Sequence, residues 1–169
     1  RQSILNDFQK LGYTVEYKVM LASDYGVPQN RKRAVFVGFK NGTHFSFPEK
    51  TVSSPVTSFE ALSDLTEGSI VDGAKYPIPA TSSFQKQMRK DSCGVYNHDI
   101  TIHTEKTQRI IAMVPDGGNY KNLPKDLWAT RKVHIAWTRL NSKKPSFTID
   151  CGHNHHFHYK FNRVPTVRE

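Results

Sequence analysis

The chain has 169 residues, 37% of them hydrophobic, with 24 basic against 15 acidic side chains and a net charge of +9. That length suits one domain, or one small domain with part of another. No apolar run in the chain approaches the ~18 residues that a membrane helix needs, and no secretory leader is visible; the charge fits either a polyanion partner such as nucleic acid or a merely soluble basic protein.

In chain order, residues 3–11 read as a helix, because Ile4, Leu5, Phe8 and Leu11 share one face and Gly12 can end it in a left-handed conformation. Tyr13 to Leu21 alternates as a strand with Tyr13, Val15, Tyr17, Val19 and Leu21 to one side. The turn Tyr25-Gly26-Val27-Pro28 and the cluster Gln29-Asn30-Arg31-Lys32-Arg33 follow. Arg33 to Phe39 reads as a second strand, closed by a turn at Asn41-Gly42.

From about residue 42 to 100, prolines at 48, 55, 77 and 79 break the pattern. Thr57 with Glu60 forms a capping box ahead of Phe59, Ala61, Leu62 and Leu65, and Ser83 to Lys90 is a polar helix. Thr104 to Val114 is the next helix, with Ile110, Ile111 and Val114 as its apolar side, and it runs into the glycine turn Pro115 to Asn119. Residues 128–160 read as short strands. The final Thr166-Val167-Arg168-Glu169 is spaced as a capping box, from which a cut just inside the next helix of a larger protein is expected.

Several of these stretches bear chemistry. In a strand, Gln29, Arg31 and Arg33 point one way, making a donor-rich surface for phosphate oxygens or a base edge; the plain alternative is a charged strand end in water. Paired glycines at Gly117-Gly118 let backbone approach a partner and Asn119 offers a bidentate amide, or the turn simply ends a helix. Arg131, Lys132, Arg139, Lys143, Lys144 and Arg163 are candidate phosphate contacts within a segment of ten basic and three acidic residues, 121–169. The run Cys151 to His158 holds four histidines and a cysteine, but the spacing is too tight for one extended strand to chelate, so a polar loop is favoured over a metal site. Trp128 and Trp137 read as core rather than stacking platforms. Cys93 and Cys151 lie outside any CxxC; two free thiols suit a reducing compartment, with one disulfide as the alternative.

The run LASDYGVPQNRKR followed by AVFVGF resembles a segment of the DNA (cytosine-5)-methyltransferases, with Gln29, Arg31 and Arg33 on the polar positions of the motif and Gly38 on its closing glycine. The resemblance continues through Asn97-His98, Gly117-Gly118-Asn119, Leu123-Pro124, Arg139-Leu140, Lys144-Pro145-Ser146, Thr148-Ile149, Asn162-Arg163 and Thr166-Val167-Arg168-Glu169. His158-Tyr159 stands where the family usually has His-Pro. The family's FxGxG cofactor turn, Pro-Cys nucleophile and Glu-Asn-Val are absent from the chain.

The resemblance implies an α+β fold: an antiparallel strand pair from the edge of a Rossmann-like methyltransferase sheet, plus a small irregular α/β target-recognition domain. Residues 1–40 would belong to the catalytic domain, 41–160 to target recognition, and 161–169 to the start of the next catalytic helix. It implies the target-recognition portion of an enzyme that moves a methyl group from S-adenosylmethionine to C5 of a cytosine flipped out of a specific DNA sequence. Arg33 would hold the flipped base near its O2 edge, with Arg31 and Gln29 tying the active site to the adjacent phosphate. The cofactor would sit in the part of the parent not present here, and this chain alone would be inactive. Implied partners are double-stranded DNA and the rest of the catalytic domain; the implied place is the bacterial cytoplasm at the nucleoid, within restriction and modification. The alternatives are a stand-alone DNA-binding subunit of a split methyltransferase, and a small metal- or RNA-binding domain.

Overall fold

The computed structural model describes residues 2–40, 45–128, 137–149 and 156–169. The expected turn at Asn41-Gly42, the candidate contacts Arg131 and Lys132, and Cys151 with the first part of the histidine run lie outside the described residues.

Helix α1, Gln2–Lys10, ends at Gly12, whose φ of +80° is the left-handed conformation the sequence predicts. Strands β1 (Thr14–Leu21) and β3 (Lys32–Phe39) pair antiparallel from Thr14 opposite Phe39 to Leu21 opposite Lys32. Tyr17 stacks on Phe36 across the pair, and Phe8 of α1 meets Tyr13 edge to face. This unit keeps apolar surface in the open: Leu11 is 68% exposed and Val19 59%.

Between these strands the chain departs from expectation. Gln29–Asn30 is a separate strand, β2, paired in parallel not with the hairpin but with β5 (Ser146–Phe147). Arg31 lies between β2 and β3, where tight bonds from Gln29 N to Val27 O (2.7 Å) and from Arg31 N to Gln29 O (3.0 Å) bend the chain. The expectation of one strand carrying Gln29, Arg31 and Arg33 on one face is therefore corrected, because alternation does not persist through a break in the ladder.

Beyond residue 45 the elements are short. Helix α2 (Ser58–Leu62) starts at the Thr57–Glu60 capping box, with both reciprocal bonds made. Helix α3 (Ser83–Arg89) has a second box, Ser82 with Gln85, which follows the same spacing rule. Helix α4 (Glu105–Ala112) begins at the cap Thr104 and stops two residues short of Val114. A turn of helix, α5, spans Lys125–Trp128, and β4 (Thr138–Arg139) pairs in parallel with β6 (His156–Phe157). The mixed α+β class thus holds, with sheets of two strands only among the described residues.

The core joins Ile111 and Val114 to Leu123, Trp137, Phe157 and Val164, with Ile110, Tyr120 and Leu127 against its margin. Burying each such side chain contributes about 1.5–3 kcal/mol. Trp137 is core, as expected, whereas Trp128 is 38% exposed and donates its indole N–H to the Leu123 carbonyl. Val164, from the last segment of the chain, is part of this core. The capping-box bonds at Thr166 and Glu169 are both present: Thr166 N donates to the Glu169 carboxylate (2.9 Å) and Glu169 N to Thr166 Oγ1 (3.3 Å).

Candidate nucleic-acid interface

The Gln29 segment is held by specific polar contacts. The buried Ser23 hydroxyl donates to Asn30 Oδ1 (2.9 Å), and Thr148 donates its hydroxyl to the Asn30 carbonyl (3.1 Å). Ser146 N reaches the Pro28 carbonyl at 2.9 Å. Gln29 is half-buried and lines a cavity of about 120 Å³ with Ser58, Leu62, Leu140, Ser146 and Glu169. Arg33 is exposed and folds back on the Lys32 carbonyl (2.7 Å), while Arg31 is half-buried at the open end of the hairpin. The structure therefore brings Gln29 alone of the three to that cavity.

Two candidate phosphate contacts are corrected outright. Arg139 is 5% exposed, and all five of its N–H donors are used within the fold. Its Nε donates to the Val114 carbonyl, Nη1 to His158 and Phe161, and Nη2 to Ile111 and Asn162. Burial lowers its pKa from the ordinary value, and the Asp116 carboxylate partly offsets that. Arg163, 4% exposed, spends its five donors on the Glu67, Val164 and Thr66 carbonyls and on both oxygens of Glu169. A guanidinium with no donor left does not hold a phosphate.

Around that pair sits a buried histidine cluster. His98 Nε2 lies 3.0 Å from the Thr66 carbonyl, which only accepts, so that nitrogen carries the proton and Nδ1 accepts from the Thr166 hydroxyl at 3.1 Å. His158 Nδ1 accepts two backbone N–H bonds, from Lys160 and Phe161, both at 3.0 Å. Its proton is thus on Nε2, 3.7 Å from Glu169. Burial pushes His158 down to about 4, against the opposing pull of Glu169 and with help from Arg163, Arg139 and His98. The expected polar loop is corrected for His156 and His158, which are 6% and 0% exposed.

The remaining candidates form a rim. The turn Pro115 to Gly118 closes through Gly118 N to Pro115 O (2.8 Å), with Gly117 at φ +68°. A methyl group on Gly117 would lie 2.4 Å from Asn141 Nδ2, so the turn is packed directly against the next loop. Asn119 accepts from Lys121 N through Oδ1, capping the short helix Tyr120–Asn122, so one half of its amide is already committed. Lys143 and Lys144 are exposed, and the Lys144 carbonyl accepts from both the backbone and the hydroxyl of Ser58 at the start of α2. From these lysines the chain continues through the buried Ser146, which pairs with β2, so Lys143, Lys144 and Gln29 belong to one hydrogen-bonded unit. Sequence reasoning missed Asn30, Asp116 and Ser142 as organisers of this rim; their partners are far away in the chain and leave no local signature.

The profile of the C-5 cytosine-specific DNA methylases matches residues 1–169. The chain is 31% identical to Type II methyltransferase M1.HphI of Haemophilus parahaemolyticus over 169 residues, covering 100% of this chain and 40% of that protein. It is 34% identical to Type II methyltransferase M.DdeI of Desulfomicrobium norvegicum over 132 residues, 73% of this chain and 32% of the relative. Among solved structures, a DNA modification methyltransferase encoded within a prophage (E. coli) superposes with a TM-score of 0.67 at 19% identity, covering 98% of this chain and 51% of that one. That likeness speaks for the fold. The chain therefore spans well under half the length of these curated relatives.

Proposed function

The chain belongs to the C-5 cytosine-specific DNA methylase family, and from that premise we propose that it is the target-recognition portion of a DNA (cytosine-5)-methyltransferase, with residues 1–40 forming the edge of a Rossmann-like catalytic sheet. Its substrate is double-stranded DNA, from which the target cytosine is flipped for methylation at C5. The work is done in the bacterial cytoplasm, in the company of the rest of the catalytic domain.

The observation that carries this reading is the β2–β5 junction. It ties the segment bearing Gln29, next to Arg31 and Arg33, to the loop bearing Lys143 and Lys144. Backbone contacts from the lysines set the register on the duplex, and the hairpin end meets the displaced base. Gly117, Gly118 and Asn119 lie beside that loop, where exposed backbone can follow a groove. The exposed apolar side of α1 and the hairpin fits a domain that docks against more protein.

S-adenosylmethionine would supply the methyl group in the whole enzyme. The residues here do not fit it: the sequence holds no FxGxG turn, and the cavity lined by Tyr76, Phe84 and Arg89 and the one beside Gln29 are both lined without glycine. The cofactor site and the nucleophilic cysteine accordingly belong to the rest of the enzyme, and the chain by itself does not methylate DNA.

The test is Arg33→Ala in the complete methylase. Methyl transfer should fall strongly, with a smaller loss of duplex binding. Normal turnover would reject the role given to Arg33.

A further inference from the structure

Asp116 is an anomaly on a face read as meeting phosphate. It is exposed and acidic, and it sits on the turn that abuts the Lys143–Lys144 loop. A carboxylate there repels a duplex, so its presence calls for a compensating role.

Its contacts supply one. Asp116 Oδ1 accepts from the Ser142 backbone N–H at 2.7 Å, and Oδ2 accepts from the Ser142 hydroxyl at 2.5 Å. Ser142 immediately precedes the two lysines. Asn141, on its other side, accepts from Lys143 N through Oδ1 (2.9 Å) and from Lys144 N through its carbonyl (3.3 Å). Gly117 N bonds the Leu140 carbonyl at 3.3 Å, and the Gly117 α-carbon leaves no room for a side chain beside Asn141. The Phe59 N–H of α2 takes the Ser142 carbonyl at 3.1 Å. The backbone of the lysine-bearing turn is thus clamped from both directions, and Asp116 is the one charged group among these clamps.

We infer that Asp116 is a positioning residue for duplex binding: its two-oxygen grip on Ser142 fixes the turn so that Lys143 and Lys144 present their ammonium groups to neighbouring phosphates in a set geometry. This rests on the reading of the face as DNA-binding. Preorganisation outweighs the local repulsion because two long lysine side chains on a loose turn would lose more freedom on binding than two on a fixed one.

The two accounts of Asp116 predict opposite signs. Duplex binding by the complete methylase is measured by fluorescence anisotropy on a random-sequence duplex, over about 50 to 200 mM salt, with thermal melts confirming that each variant folds. If Asp116 positions the loop, Asp116→Ala weakens binding several-fold and lowers the salt slope by about one. Asp116→Asn keeps an acceptor for the Ser142 N–H and sheds the charge, so it binds as well as the parent or better. Ser142→Ala, which removes only the hydroxyl, shows a partial loss and serves if Asp116→Ala does not fold. Tighter or unchanged binding by Asp116→Ala, with Lys143→Ala and Lys144→Ala still weakening it, would overturn the inference alone. Salt slopes identical in the parent and both lysine variants would overturn the DNA-binding reading of this face, and the inference with it.

Discussion

The Glu169 carboxylate is gripped by both terminal nitrogens of Arg163, at 2.7 and 2.9 Å, with the two side chains 0% and 5% exposed. The same guanidinium bonds the Thr66 and Glu67 carbonyls nearly a hundred residues away, so one ion pair fastens the last segment to the region before α3. Arg163→Ala leaves a buried carboxylate unpaired and should cost about 3–5 kcal/mol in urea unfolding. Glu169→Gln keeps an acceptor and removes the charge, and should cost clearly less. Equal losses would mean that the pair matters only for packing.

The histidine cluster makes stability depend on pH. His158 in the folded chain stays neutral down to about 4, held there first by burial. In the unfolded chain it titrates near its ordinary 6.5. Between these values the unfolded state binds the extra proton, so stability falls as pH drops, by about 3 kcal/mol in all. For Glu169, burial pushes the carboxyl up, but the Arg163 hydrogen bond, His158 and the Thr166 N–H outweigh it and the net shift is downward. Its contribution is present above its unfolded value and is lost as pH falls through the lower folded one, extending the decline. Denaturation between pH 7 and 4 should show this slope. His158→Asn, whose Oδ1 can accept the Lys160 and Phe161 N–H groups, should flatten it; an unchanged slope would assign the effect elsewhere.

Arg139 and Lys143 should separate cleanly. Arg139→Lys offers three donors where five acceptors are now served, in a different geometry, and should cost about 3 kcal/mol in stability. Its duplex salt slope should be that of the parent wherever it stays folded. Lys143→Ala should leave stability within about 0.5 kcal/mol and lower the slope by about one. A reduced slope for Arg139→Lys would restore Arg139 as a phosphate contact.

Gly94 is required by a close crossing. A methyl group there would lie 2.5 Å from the Gly73 carbonyl oxygen and 2.8 Å from that of Ala74, beside the bridge joining Ala74 to Val95. Gly94→Ala should cost about 2–3 kcal/mol by thermal melt, since backbone rather than a movable side chain is in the way. A neutral substitution would show that this crossing opens easily.

Local chemistry made much of the chain readable in advance. A threonine three residues before a glutamate placed the start of α2, and Gly12 marked the end of α1 because few other residues take a positive φ. Alternating apolar residues set β1, the apolar run after Arg33 set β3, and the motif around Gln29 pointed to the methylase family that the profile match bears out. These signals act over a few residues and need no distant partner. What Arg139, Arg163 and His158 do could not be read that way. Their side chains look like a phosphate track and a polar loop in sequence, yet the carbonyls and the carboxylate that bury them come from residues up to 97 positions away. The split of Gln29 from Arg31 likewise depends on Ser146 offering β2 a partner. Charge is a property of the residue, but whether it meets water, DNA or a ring of carbonyls is settled only when the chain has closed on itself.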